Sequence, residues 1–159
     1  MIPTFLGRWH TRILLFLFIG LPVSILYGLY LGEFEGSRRA IRVLGLALDP
    51  LPLQIVCVMT LIGLVLDPVY ILIQQGRWDR DWPFAFQFIA MILEFAIVLA
   101  LIRAELLPFV ARGRIAEQDA FHIALHFSIV LILSFVAILG IVQVFLVRWR
   151  FKGGEIGRL

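Results

Sequence analysis

Two acidic residues, Asp67 and Glu94, lie inside long apolar stretches of the sequence, where charged groups are rare. They belong to neighbouring stretches joined by a short polar loop, and they stand at equal distances from the centre of that loop. Two antiparallel helices would therefore place them at the same depth. Because ionised carboxylates are costly in hydrocarbon and repel each other, we expect the pair to share a proton or to bind a cation. The sequence predicts a proton-relay or ion site at Asp67 and Glu94.

Each acid also has a purely structural alternative. Asp67 precedes Pro68, which has no backbone N–H, so Asp67 can instead cap a second half-helix that begins at Pro68. Glu94 can be a protonated carboxyl group that is hydrogen-bonded to a neighbouring helix. The sequence alone leaves both alternatives open.

The helix predicted around the last apolar stretch carries Asp119, His122 and His126 near its start, and their spacing puts them on one face. Such a set can ligate zinc or iron, so it is a candidate metal site. The alternative is an ordinary helix-start acid followed by histidines that bind water or lipid headgroups. No cofactor is predicted. The order of a mid-span glutamate and then histidine between Trp82 and His126 loosely resembles the four-helix sterol-isomerase and sigma-2 receptor group, but the first stretch carries no acid within it.

Four apolar stretches position these residues, at about 13–32, 53–73, 84–102 and 123–147. The chain of 159 residues is 62% hydrophobic and only 16% charged, with a mean hydropathy of +1.00, which excludes an ordinary water-soluble domain. Each stretch is close to the ~20 residues that cross a bilayer as a helix, and the stretches are too long and too uniformly apolar for membrane strands. The sequence therefore predicts a single-domain, all-α integral membrane protein with four transmembrane helices.

The connection between the first two stretches is predicted to contain a short amphipathic helix at the membrane interface. Within residues 37–48, Arg38 and Arg42 are one turn apart and leucines fall on a neighbouring face. The prolines at positions 50 and 52 end this segment.

Tryptophan and basic residues suggest how the chain sits in the membrane. An even number of spans puts both termini and the second loop on one side, and that side carries the predicted interface anchors Trp9, Trp78, Trp82 and Trp149. It also carries eight of the 14 Lys and Arg residues, against six on the other side. The excess weakly favours cytoplasmic termini in a multi-pass membrane protein. Lipid phosphate is the expected partner of these cations, and nucleic acid is not expected.

Small residues recur at every fourth position of the first stretch and on the third stretch, and they predict close helix packing. The residues concerned are Gly20, Ser24, Gly28, Gly32, Ala96 and Ala100. The first helix is expected to pack on the alanine face of the third stretch or to bind other membrane helices, in a homo-oligomer or a larger complex.

Three functions are compatible with these patterns. The favoured one is a non-enzymatic interaction or assembly subunit that docks through the glycine face of the first helix, because no soluble domain is predicted and no catalytic residues are recognised. The alternative is a proton- or ion-translocating component that uses Asp67 and Glu94. The third is a membrane-embedded protein that binds or metabolises lipid.

Overall fold

The computed structural model of the chain describes residues 5–37, 39–76, 84–104, 106–107 and 117–142. Within these ranges, four helices are long and apolar enough to cross a membrane, as predicted. They are built from the following segments: α1 (Phe5–Leu15), a π-helical turn (Phe16–Gly20), α2 (Leu21–Glu33), α3 (Leu51–Gln75), α4 (Phe84–Arg103), α5 (Glu117–Ala137) and a second π-helical turn (Ile138–Val142).

The first long helix runs without a break from Phe5 to Glu33, and it therefore starts eight residues before the predicted span. Its π-helical turn ends two residues before Pro22, and the Leu21 N–H donates to the Phe16 carbonyl oxygen, five residues earlier. Proline lacks the N–H that would complete the α-helical pattern here, and one wider turn accommodates this loss without ending the helix.

Residues 41–48 form a β-hairpin, so the prediction of a short interfacial helix in this connection is wrong. Strands β1 (Ile41–Val43) and β2 (Leu46–Leu48) pair antiparallel around a two-residue turn, Leu44–Gly45, in which both residues have positive φ (52° and 88°). This geometry favours tight hairpins. The apolar spacing of the segment fits a helix, which is why the sequence predicts one. The hairpin packs instead against α2, and the local spacing of apolar residues does not reveal that contact.

Asp49 fixes the hairpin between the first long helix and α3. Its N–H donates to the Gly28 carbonyl oxygen at 2.9 Å, and its carboxylate accepts from the Leu51 N–H at 2.9 Å and from the Ser37 hydroxyl. The Asp49 side chain is buried, so these bonds provide the polar partners that a buried carboxylate requires.

The four long helices form a bundle in which α3 and α5 each contact both the first long helix and α4. The apolar core lies between α3, α4 and α5; in it the rings of Phe95 and Phe127 stack with centroids 3.8 Å apart. The first long helix and α4 therefore lie on a diagonal of the bundle. A contact between them must pass through its interior.

Candidate functional site

An ion cluster of Arg12, Asp67 and Glu94 joins three helices inside the bundle. The Arg12 guanidinium donates to Asp67 through Nε (2.8 Å) and Nη2 (3.0 Å), and to Glu94 through Nη1 (2.9 Å) and Nη2 (2.6 Å). Asp67 is 1% exposed, Glu94 is 2% exposed and Arg12 is 14% exposed. The two predicted acids are thus brought together, and a guanidinium binds both of them in the two-pronged geometry that suits carboxylates.

Arg12 is the functional residue that sequence reasoning missed. Position 12 precedes the predicted span at 13–32, so Arg12 is one of the eight basic residues counted on the side of the termini. The helix instead begins at Phe5, and Arg12 lies about 10 Å along it at ~1.5 Å per residue. Two buried acids require a cation, and the earlier helix start is what brings one within reach. If the helix is taken to begin at Phe5, an arginine seven residues into it indicates that Arg12 lies inside the bundle.

Gly63 makes the space that the guanidinium occupies. A Cβ atom added at this position would lie 2.6 Å from Arg12 Cζ and 3.0 Å from Glu94 Oε2. Gly63 is buried in α3, one helical turn before Asp67, so its missing side chain forms part of the cluster's geometry.

A second polar contact accompanies the ion cluster one turn nearer the N-terminus. Arg8 Nη2 donates to Gln74 Oε1 at 2.7 Å, and both side chains are buried. Arg8 and Arg12 are four residues apart on α1, and Gln74 and Asp67 are seven residues apart on α3. On each helix the two polar residues lie on one face, and each arginine of α1 bonds a different residue of α3.

Helix α3 continues through Pro68, so the structure contains no second half-helix for Asp67 to cap. Both carboxylate oxygens of Asp67 accept from Arg12. The capping alternative is therefore not what this carboxylate does.

A cavity of about 60 Å³ lies against Arg12 and Glu94, with room for a few water molecules. Part of its wall is the π-helical turn, at Phe16 and Gly20, and its other polar lining residues are Thr60, Gln87 and Ser134. A π turn inside a helix is often found where a helix contributes to a site. The Glu94 carboxylate is thus in contact with a space that can hold water, whereas Asp67 does not line it.

The histidines of α5 bind the first long helix. His126 Nε2 lies 3.0 Å from Ser24 Oγ, and His122 Nδ1 lies 3.1 Å from the Tyr27 hydroxyl. The third residue of the candidate metal site, Asp119, has a side chain outside the described residues. In the part of the chain that is described, no three metal-ligating side chains (His, Cys, Asp or Glu) cluster.

The glycine face of the first long helix is covered by the chain itself. An ideal Cβ at Gly28 would lie 2.5 Å from the Asp49 carbonyl oxygen, and one at Gly32 would clash with the backbone of Ala47. Ala96 and Ala100 of α4 are exposed, so they do not receive the first helix as expected. Assembly with other membrane helices stays a prediction, but the glycine face is not open for it.

Of the predicted interface anchors, Trp9 is exposed on α1 and packs against Phe5 in a tilted arrangement, with ring centroids 4.7 Å apart. Trp78, Trp82 and Trp149 lie outside the described residues.

The formal charges of the ion cluster do not cancel. Arginine stays protonated in proteins, so one guanidinium and two ionised carboxylates leave an excess of one negative charge. An excess charge in a buried site is strongly unfavourable, and one proton or one monovalent cation would remove it. Glu94 is the acid at which such an exchange can occur, because it borders the cavity.

Comparisons of the chain with protein-family models, with curated proteins and with solved structures find no match. The ion cluster and its surroundings are therefore the features from which a function can be proposed.

Proposed function

We propose that this protein is a multi-pass membrane protein that carries protons across the bilayer, with Glu94 as the group that takes up and releases the proton. The observation that carries the proposal is the buried Arg12–Asp67–Glu94 cluster, with its excess formal negative charge and its contact with a cavity that has room for water. Ionisable residues inside membrane helices commonly belong to proton or ion pathways.

The exposed surface supports insertion into a membrane. Large apolar side chains point outward from all four long helices, for example Phe18 (74% exposed), Val65 (73%) and Ile132 (59%). Such an extensive apolar exterior would be a severe aggregation liability in water, but it suits contact with lipid chains.

The proposed orientation keeps both termini on the cytoplasmic side. With Arg8 and Arg12 both inside the bundle, six of the eight basic residues assigned to that side remain to flank the membrane, against six on the other side. The positive-inside rule then favours neither side, and the proposed orientation rests on the sequence count of eight against six.

In the proposed mechanism, Asp67 and Arg12 form a fixed ion pair and Glu94 alternates between two states. When Glu94 is ionised, it accepts two hydrogen bonds from Arg12. When a proton arrives from water in the cavity, Glu94 becomes neutral, its bonds to the guanidinium weaken, and the cluster carries no net charge. Asp67 holds the guanidinium in place through both states, which limits the movement to the Glu94 side chain.

The test is proton uptake by liposomes that contain the purified protein and an enclosed pH-sensitive dye, with a potassium diffusion potential as the driving force. We expect uptake well above that of empty liposomes, and we expect Glu94→Gln to lower it at least tenfold, because an amide cannot exchange a proton. Glu35→Gln is the matched control, since Glu35 is an exposed acid outside the bundle, and it should transport like the unchanged protein.

Two outcomes would contradict the proposal. Uptake no faster than in empty liposomes would exclude proton transport under these conditions. Transport that follows an imposed sodium or potassium gradient, with no change in internal pH, would replace the proton by a metal cation as the carried ion.

A further inference from the structure

The Ser24 hydroxyl lies between the Gly20 carbonyl oxygen, at 2.6 Å, and His126 Nε2, at 3.0 Å. When the hydroxyl donates its one hydrogen to Gly20, it can only accept from His126 Nε2. In that arrangement the neutral His126 ring carries its hydrogen on Nε2, and its Nδ1 is an unprotonated acceptor.

Nδ1 of His126 is buried and unpaired. The residue is 2% exposed, and no described residue gives this nitrogen a hydrogen bond. A buried acceptor without a donor is unfavourable and uncommon in folded proteins. The lone pair of this nitrogen is therefore free to accept a hydrogen bond or a proton.

His126 lies one helical turn beyond the residues of α5 that line the Glu94 cavity, and it does not line the cavity itself. On α5, His126, Val130 and Ser134 follow each other at four-residue intervals on one face, and the last two line the cavity. On the first long helix, Gly20 lines the cavity and accepts the hydrogen bond of Ser24, one turn further along. About one helical turn, ~6 Å, therefore separates the end of the cavity from the histidine.

Polar and aromatic groups continue from His126 towards the hairpin end of the bundle. The Tyr27 ring lies with its centroid 5.3 Å from that of His126, and its hydroxyl is hydrogen-bonded to His122, which is partly exposed. An aromatic ring at this distance can stabilise a transient imidazolium.

We propose that His126 is a second proton-carrying group of the same pathway and that it connects the Glu94 cavity to the hairpin end of the bundle. This inference rests on the proposed function. A proton passes from neutral Glu94 through cavity water to Nδ1 of His126 and forms an imidazolium, while Glu94 returns to its bonds with Arg12. The imidazolium then gives up the proton that it received at Nδ1, with water or the His122 ring as the acceptor, and the neutral ring with hydrogen on Nε2 is restored.

The liposome assay tests this relay with His126→Gln. Glutamine keeps an N–H group that can donate to Ser24, but it has no basic nitrogen. We expect proton uptake to fall at least tenfold, which is the loss also expected for Glu94→Gln. Ser128→Ala is the matched control, because the Ser128 hydroxyl is exposed and bonds only its own helix, at the Ala124 carbonyl oxygen.

The outcomes separate this inference from the proposed function. If the unchanged protein transports protons and His126→Gln does so equally well, the relay is overturned while the Glu94 proposal stands. If the unchanged protein transports no protons, both are overturned.

A measurement on the unchanged protein covers the case in which His126→Gln does not fold. Nitrogen-15 NMR of histidine-labelled protein in lipid should show His126 with hydrogen on Nε2 and none on Nδ1, assigned by elimination with His10→Gln and His122→Gln. A hydrogen on Nδ1 in the neutral ring would remove the acceptor that the relay requires.

Discussion

At the residue scale, the site depends on a side chain that is missing as much as on those that are present. Gly63 leaves room for the Arg12 guanidinium, which fills it and reaches two acids from other helices. The acids could be predicted because charges inside apolar stretches stand out. The role of Gly63 could not be predicted, because it depends on which side chain of another helix lies against this glycine.

Gly63→Ala should destabilise the protein by about 1–3 kcal/mol, the usual cost of adding volume to a filled interior. The added methyl group must push the guanidinium away from Glu94, so proton uptake should fall as well. Unfolding in mild detergent with increasing denaturant measures the first effect, and the liposome assay measures the second. Gly140→Ala is the control, because nothing lies within 4 Å of a Cβ at that position. Equal stability of the two variants would show that Gly63 does not make this space.

At the element scale, the helices could be predicted and the hairpin could not. The four helices follow from apolar stretches of the right length, which is a local property of the chain. The hairpin depends on a contact with α2, which is encoded earlier in the sequence. Gly28 and Gly32 let β2 and Asp49 approach the backbone of that helix. The same glycines predicted helix packing, because their spacing indicates a close approach without specifying the partner.

Gly28→Ala should loosen the hairpin without unfolding the bundle. Its methyl group would meet the Asp49 carbonyl oxygen and Leu48 Cδ1, at 2.5 and 2.9 Å from the ideal Cβ position. We expect the amide hydrogens of residues 39–49 to exchange about tenfold faster, which corresponds to ~1.4 kcal/mol of local stability. Mass spectrometry of exchanged peptides measures this effect. Gly76→Ala, where the added atom makes only ordinary contacts, serves as the control, and equal exchange in the two variants would argue against the contact with α2.

At the scale of the whole molecule, the ion cluster connects elements that the apolar core does not. The core lies between α3, α4 and α5, whereas Arg12 ties the first long helix to both α3 and α4. The equal depth of Asp67 and Glu94 could be predicted from the helical hairpin they share. The diagonal contact could not, because the order of helices around a bundle is not a local property of the sequence.

Arg12→Gln should destabilise the bundle by about 3–5 kcal/mol, because it leaves two buried acids without their counter-charge. The triple variant Arg12→Gln, Asp67→Asn, Glu94→Gln should recover most of that loss, since it buries no charge. Denaturant unfolding in detergent compares the variants, with Arg42→Gln on the exposed strand β1 as the control. If the triple variant were no more stable than Arg12→Gln alone, the two unpaired acids would not be the cause of the loss and the expected recovery would be wrong.

The diagonal position of Arg12 also sets an order of events during synthesis. Its partners are encoded 55 and 82 residues later, so the ribosome, at ~5–20 residues per second, completes Glu94 roughly 4–16 s after Arg12. For that interval the first helix holds an unpaired arginine, and full burial in lipid is unfavourable for it. The contacts of Arg12 with α3 and α4 can therefore form only after both of those helices have been synthesised.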